Sequence, residues 1–109
     1  MLARAVKSVL DQAHTNWEMI IINDSPDDTS YASFEKAITD PRIVYLKNEQ
    51  NAGVNYSRNR ALDNLSKDSD WVIFLDDDDY LAPDALVTLR ELTTMHPDKQ
   101  WFATNRAYA

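Results

Sequence analysis

The stretch Met19-Ile20-Ile21-Ile22-Asn23-Asp24 decides the fold, because it predicts a buried strand that ends in polar side chains. Its three consecutive isoleucines do not alternate with polar residues, which is typical of a strand covered on both faces. Such strands occur in parallel sheets flanked by helices. Asn23 and Asp24 then stand at the carboxyl end of the strand, where open α/β sheets bind their ligands.

Helical and strand patterns alternate on both sides of this stretch. Before it, apolar residues at helical spacing over 2–13 predict an amphipathic helix. The elements predicted after it are a helix over 31–38 capped by Thr29 or Ser30, a strand over 43–46, a helix over 54–65, a strand over 71–75, a helix from Pro83 and a strand over 100–104. This order predicts one domain over residues 1–109, with an α/β fold and a mostly parallel sheet.

Composition narrows the classes of function. The chain has 109 residues, is 44% hydrophobic and carries a net charge of −7, so we expect no nucleic-acid partner. It contains no cysteine, which excludes a thiolate nucleophile and a cysteine-ligated zinc site. No apolar run approaches the roughly 20 residues of a membrane span, and no signal peptide is visible. We therefore expect a cytoplasmic location, with a membrane anchor left open for segments outside this sequence.

The chain also lacks a glycine-rich phosphate loop, because Gly53 is its single glycine. Phosphate binding would then need a metal ion, basic side chains or helix N-termini. Arg58, on or near the third predicted helix, is a candidate partner for a diphosphate.

Four consecutive carboxylates, Asp76 to Asp79, follow the predicted strand over 71–75. A hard divalent cation relieves their mutual repulsion. Mg²⁺ and Mn²⁺ bind oxygen ligands, and they can bind carboxylates and substrate phosphates at the same time. In an extended segment Asp76 and Asp78 would face one site and Asp77 the other. A solvated acidic loop explains the same four residues equally well.

Asp24 also has two interpretations. Its carboxylate can accept hydrogen bonds from a ribose or from a base N–H group, or it can form a turn with Ser25 and Pro26. Because the carboxyl ends of parallel strands meet at one edge, we expect Asp24 and the four aspartates to lie at the same edge of the sheet.

Four stretches in this order resemble the nucleotide-binding half of family 2 glycosyltransferases, which have the Rossmann-like, three-layer GT-A fold. They cover nearly all of the chain and are residues 4–12, 20–29 (IIINDSPDDT), 51–62 (NAGVNYSRNRAL) and 74–79 (FLDDDD) followed by 83–86. Two departures are Asn23, where the family usually has aspartate, and the lack of a glycine in the turn after Asp24.

The resemblance implies a role for each matching residue. Asp24 would contact the uracil or ribose of a UDP-type donor, and Asp76 and Asp78 would hold Mn²⁺ or Mg²⁺ against the diphosphate. Asp77 would lie beside the ribose or the sugar, and Arg58 near the donor. The parent enzyme would transfer the sugar with inversion to a hydroxyl of a saccharide or other acceptor.

Family members begin with a strand that this chain does not contain, and their general base lies in a second half. We therefore expect a fragment cut at both ends, with its catalytic residue unknown and with little or no transferase activity alone. We also expect self-association through exposed strand edges.

Two alternatives stay open from the residues. Asp76 and Asp78 also fit the Asp-x-Asp of a haloacid-dehalogenase-like phosphohydrolase, in which the first aspartate is the nucleophile. That motif normally opens its domain, whereas several predicted elements precede it here. The other alternative is a truncated, non-catalytic α/β module.

Overall fold

A computed structural model describes residues 2–76 and 78–98 of the chain. Its elements are helix α1 (Leu2–Leu10), strand β1 (Met19–Asn23), a 3₁₀ turn (Thr29–Tyr31) leading into helix α2 (Ala32–Ala37), strand β2 (Ile43–Lys47), helix α3 (Val54–Asp63) and helix α4 (Ala85–Met95). They alternate between helix and strand as far as α3, as the sequence predicts, and α4 then follows α3 without a strand between them.

Strands β1 and β2 are parallel and in register from Met19 opposite Ile43 to Asn23 opposite Lys47. The pairing continues past the strands, because the Asn48 backbone N–H donates to the Asn23 carbonyl at 2.9 Å. The carboxyl ends of both strands therefore lie side by side. This parallel pairing within a mixed α/β chain confirms the predicted fold class and agrees with a Rossmann-like GT-A fragment.

The strand predicted over 71–75 is wrong. These residues take no regular secondary structure, and the side chains of Trp71, Val72, Ile73 and Phe74 are between 43% and 53% exposed. A strand exists only where its backbone pairs with a neighbour, and within the described residues the sheet contains β1 and β2 alone. The strand predicted over 100–104 lies outside the described residues.

Two smaller predictions also need correction. The helical segment after β1 is capped by Asp28, whose Oδ1 accepts the Ser30 N–H at 2.9 Å, rather than by Thr29 or Ser30. The isoleucines of β1 are partly exposed rather than fully covered on both faces. A strand with two covered faces needs a layer on each side, and among the described helices α3 makes the main contact with β1.

The described residues divide into two compact groups, residues 16–72 and residues 2–15 with 73–76 and 78–98. The first holds the sheet, α2 and α3. The second holds α1 and α4, and its most buried apolar side chains are Ala5 and Val6 on α1. A single domain over residues 1–109 stays a prediction.

In the second group, α1 binds the backbone that leads into α4. Ser8 Oγ accepts the Leu81 N–H at 3.0 Å, one helical turn before Gln12. Gln12 is 4% exposed; its Nε2 donates to the Ala82 carbonyl at 2.7 Å, and its Oε1 accepts the Leu86 N–H at 3.0 Å. Gln12 follows the end of α1, and its Nε2 also donates to the Ser8 carbonyl at 2.9 Å, so Ser8 and Gln12 act on one segment together.

Among the described residues, every helix is too short or too polar to cross a bilayer.

The Gln12 contacts generate a stability prediction. Gln12→Ala leaves the Leu86 N–H without its partner, so we expect the free energy of unfolding to fall by about 1–3 kcal/mol. Urea unfolding followed by circular dichroism measures it. Gln50→Ala, the same change at an exposed loop position, should shift stability by less than about 0.5 kcal/mol. Equal effects of the two substitutions would contradict a structural role for the Gln12 amide.

Candidate functional site

Three aspartates form an acidic cluster after residue 75. One carboxylate oxygen from each of Asp76, Asp78 and Asp79 lies within 4.8 Å of the others. Asp76 and Asp78 are exposed and Asp79 is partly buried. The sequence predicted Asp76 and Asp78 together and did not select Asp79; Asp77 lies outside the described residues.

A tight turn brings the third carboxylate in. The Asp79 backbone N–H donates to the Asp76 carbonyl at 3.0 Å, and this hydrogen bond closes a turn from Asp76 to Asp79. Strict extended alternation, from which the pair Asp76 and Asp78 was predicted, holds only for a straight strand. The turn replaces that alternation, so side chains three apart also converge.

Helix α1 also contacts the acidic cluster's backbone. Arg4 Nη2 donates to the Asp78 carbonyl oxygen at 3.3 Å, and the Arg4 guanidinium carbon lies 4.5 Å from the centre of the Tyr80 ring. A guanidinium over an aromatic face is attracted by the ring quadrupole. Together with Ser8 on α1 and Gln12 just after its end, Arg4 completes a polar row against the segment from residue 78 to residue 86.

The cluster suits a hard divalent cation. Carboxylate oxygens are the ligands that Mg²⁺ and Mn²⁺ prefer, and Mg²⁺ in proteins usually binds one or two carboxylates plus waters and phosphates. Three convergent carboxylates with two of them exposed provide such a partial ligand set. Open positions would remain for a phosphate.

Asp24 lies at the carboxyl end of β1 and is held by three hydrogen bonds within the described residues. Its Oδ1 accepts Asn48 Nδ2 at 2.8 Å and the Ala52 N–H at 2.7 Å, and its Oδ2 accepts the Gly53 N–H at 3.0 Å. Chiefly the Ala52 N–H, then the Asn48 amide, lower the pKa of Asp24 below its ordinary value, with a smaller contribution from the Gly53 N–H. These contacts join the end of β1 to the loop before α3, which a simple turn with Ser25 and Pro26 would not do.

Asn48 is the buried centre of these contacts, and sequence reasoning missed it. Asn48 is only 2% exposed. Besides its bond to Asp24, Nδ2 donates to Ser57 Oγ at 2.9 Å, and Oδ1 accepts a hydrogen bond from Arg60 Nη1 at 2.9 Å. We call Asp24, Asn48, Ser57, Arg60 and the N–H groups of Ala52 and Gly53 the Asp24 network. The available signal was the position of Asn48 directly after β2, the equivalent of Asp24 after β1.

Gly53 supplies a backbone shape that the network needs. Its φ of +94° with ψ of 166° belongs to a region that only glycine occupies readily. This conformation starts α3 while the Gly53 N–H donates to Asp24 Oδ2. The single glycine of the chain is therefore explained by this turn.

The two arginines of α3 differ in their placement. Arg60 donates through Nη1 to the Lys47 carbonyl at 2.6 Å as well as to Asn48 Oδ1, so it joins α3 to the end of β2. Arg58, which the sequence selected, is exposed on α3. Its proposed contact with a diphosphate stays a prediction.

The lowered pKa of Asp24 predicts a pH dependence of stability. The unfolded state, with a pKa of about 3.9, binds a proton at higher pH than the folded state, so the stabilisation is fully present above about pH 4 and is lost as pH falls through the folded pKa. We expect the difference in unfolding free energy between the chain and Asp24→Asn to be largest near neutral pH and to shrink below about pH 4. Urea titrations from pH 7 to pH 3 measure this difference; a constant value across the range would contradict it.

Comparison with known proteins identifies the family. The model of glycosyl transferase family 2 matches residues 1–99. This match favours the transferase over the phosphohydrolase alternative. No solved structure matches this chain.

Several curated proteins are similar to this chain over most of its length. A protein named as a colanic acid biosynthesis glycosyl transferase, WcaA of Escherichia coli K12, is 40% identical over 86 residues, which cover 76% of this chain and 29% of WcaA. A protein named as a teichuronic acid biosynthesis glycosyltransferase, TuaG of Bacillus subtilis, is 40% identical over 74% of this chain and 32% of TuaG. The GalNAc(5)-diNAcBac-PP-undecaprenol beta-1,3-glucosyltransferase of Campylobacter jejuni is 38% identical over 84% of this chain and 29% of that enzyme.

The chain thus spans about a third of the length of these relatives. The family model matches nearly all of its residues, and the matched segment contains both the acidic cluster and the Asp24 network. The chain belongs to glycosyl transferase family 2.

Proposed function

We propose that this chain is the donor-binding part of an inverting glycosyltransferase that uses a nucleotide-diphosphate sugar, with UDP-sugar as the donor. The observation that carries the proposal is the acidic cluster of Asp76, Asp78 and Asp79 in a chain of this family. A donor of this kind brings a pyrophosphate to a protein with a net charge of −7, so the charge must be neutralised locally.

Mn²⁺ or Mg²⁺ is the neutralising ion in this proposal. Asp76 and Asp78 would bind it as the sequence predicts, and the convergence of the three carboxylates supports adding Asp79. A bound cation would supply Lewis-acid stabilisation of the charge that develops on the departing nucleoside diphosphate. In the same proposal Asp77 lies beside the ribose or the sugar.

Asp24 would bind the uracil or the ribose of the donor. An ionised carboxylate has about four acceptor positions, and the described residues use three of those of Asp24. About one position then remains, which fits a single N–H or O–H donor such as the imide of uracil or one ribose hydroxyl. A base that presents two adjacent donors to one carboxylate fits this count poorly.

Arg58 would pair with the diphosphate from α3, on which it is exposed. The acceptor would be a hydroxyl of a saccharide or similar molecule; the Campylobacter relative, for comparison, is named for a glycan on undecaprenyl diphosphate. We assign the general base to none of the described residues.

Self-association is a further part of the proposal. Within the described residues, β1 and β2 pair only with each other, so each has one backbone edge without a strand beside it. Such edges favour pairing with another chain.

The metal proposal predicts that the three carboxylates of the acidic cluster contribute similarly to Mn²⁺ affinity. Asp76→Asn, Asp78→Asn and Asp79→Asn should each lower Mn²⁺ affinity by about tenfold or more, because each replaces a charged oxygen ligand by a neutral amide. Mn²⁺ binding is measured by electron paramagnetic resonance of the free ion.

Asp70→Asn is the matched control, since Asp70 is an exposed aspartate outside the cluster. It should leave Mn²⁺ affinity within about twofold. If Asp79→Asn binds Mn²⁺ with normal affinity, Asp79 is not a ligand and the proposed ligands are Asp76 and Asp78 alone. A normal affinity of all three variants would remove the metal site.

The nucleotide proposal predicts that Asp24→Asn lowers UDP affinity by about tenfold or more, because the charged acceptor of a base or ribose hydrogen bond is lost. Calorimetry with UDP at fixed Mn²⁺ measures this change. Asp63→Asn, which removes one exposed charge at the end of α3, should bind UDP like the unaltered chain. Undiminished UDP binding by Asp24→Asn would contradict the role of Asp24.

A further inference from the structure

We infer that Asn48 is a positioning residue for the donor site: its side-chain amide fixes the Asp24 carboxylate in place, and Arg60 fixes the amide. The inference rests on the proposed function, in which Asp24 binds the nucleoside of the donor. It adds two residues that do not themselves contact the nucleotide.

The direction of the Asn48 amide follows from its partners. A guanidinium only donates, so the atom that receives Arg60 Nη1 at 2.9 Å must be the amide oxygen. The Nδ2 group therefore faces the other side, where both of its protons are used, by Asp24 Oδ1 at 2.8 Å and Ser57 Oγ at 2.9 Å. A flipped amide would place oxygen against the Asp24 carboxylate and nitrogen against Arg60, and both contacts would be repulsive.

Burial makes this arrangement rigid. Asn48 is 2% exposed, so a lost partner could not be replaced freely by water. Its backbone N–H is also fixed, through the bond to the Asn23 carbonyl at the end of β1. The side chain is thus anchored to β1, α3 and the Asp24 carboxylate together.

The consequence for Asp24 is a preset orientation. Asn48 and the Ala52 N–H occupy Oδ1, while Oδ2 receives only the Gly53 N–H among the described residues. The remaining acceptor position therefore belongs to Oδ2. Preorganisation of this kind lowers the entropy that a ligand must remove on binding.

Asn48→Asp tests the inference with a side chain of the same shape. It replaces the Nδ2 donor by an oxygen next to Asp24 Oδ1, and a like charge at that distance raises the pKa of a carboxylate. We expect a raised Asp24 pKa in a titration of the side-chain carboxyl carbons by NMR. We also expect UDP affinity, at fixed Mn²⁺, to fall by about tenfold.

Asn16→Asp is the control, because it makes the same change at an exposed residue before β1, at the other end of the strand from Asp24. It should leave both the Asp24 pKa and UDP affinity as in the unaltered chain. If Asn48→Asp does not fold, Arg60→Met replaces it. Loss of the guanidinium frees the amide to flip, so the Asp24 pKa should again rise and UDP affinity should fall, by a smaller factor.

The results separate the inference from the proposed function. An unchanged Asp24 pKa in a folded Asn48→Asp chain overturns the positioning role. So does full UDP affinity in Asn48→Asp when Asp24→Asn has lost it. If the unaltered chain does not bind UDP, the proposed function fails, and the Asp24 pKa alone decides whether Asn48 controls this carboxylate.

Discussion

Parallel pairing of β1 with β2 in a single register is the constraint on which the Asp24 network depends. The register sets Asn23 opposite Lys47, so the next residues, Asp24 and Asn48, leave the sheet at the same edge. A shift by one residue would turn each side chain to the other face of its strand and separate the amide from the carboxylate. The polar network and the apolar strands therefore specify the same alignment, which is the agreement between local and global preferences that a unique fold requires.

Helix α1 has a comparable function in the other group of residues. Arg4, Ser8 and Gln12 recur every four residues, and each bonds a backbone group between residues 78 and 86. Their partners are main-chain atoms, so the row constrains the path of the chain around the acidic cluster without using its carboxylates. A backbone that is fixed in this way is how a rigid second layer supports a binding site.

The parts of the structure set by local patterns could be predicted from the sequence. The consecutive isoleucines of β1 and the apolar spacing of α1 and α4 determine those elements within a few residues. The acidic run and Asp24 were visible as carboxylates after apolar segments. The secondary structure of residues 71–75 could not be predicted correctly. Their apolar and β-branched side chains favour a strand, but the sequence does not show whether a partner strand lies beside them.

Two of the missed residues, Asn48 and Arg60, depend on contacts distant in sequence, and the third, Asp79, depends on a local turn. Asn48 meets Asp24 across 24 positions, and no local pattern distinguishes it from a polar loop residue. Asp79 joins the acidic cluster through a turn that an extended segment would lack. Arg58 and Arg60 are the same residue type on one helix, so the sequence does not show which of them joins the Asp24 network. The structure assigns that position to Arg60, which reaches both the Lys47 carbonyl and the Asn48 amide.

The two sets of carboxylates differ in how their negative charge is stabilised. Asp24 is stabilised by neutral N–H donors, which hold it ionised without any cation and fix its orientation. Asp76, Asp78 and Asp79 converge on one another, so their repulsion falls when a cation is added. In the proposed function, recognition of the nucleoside through Asp24 would therefore need no metal, whereas charge neutralisation at the acidic cluster would need one. A nucleotide-sugar donor would use both kinds of site, because its nucleoside presents hydrogen-bond donors and its pyrophosphate presents only negative oxygens.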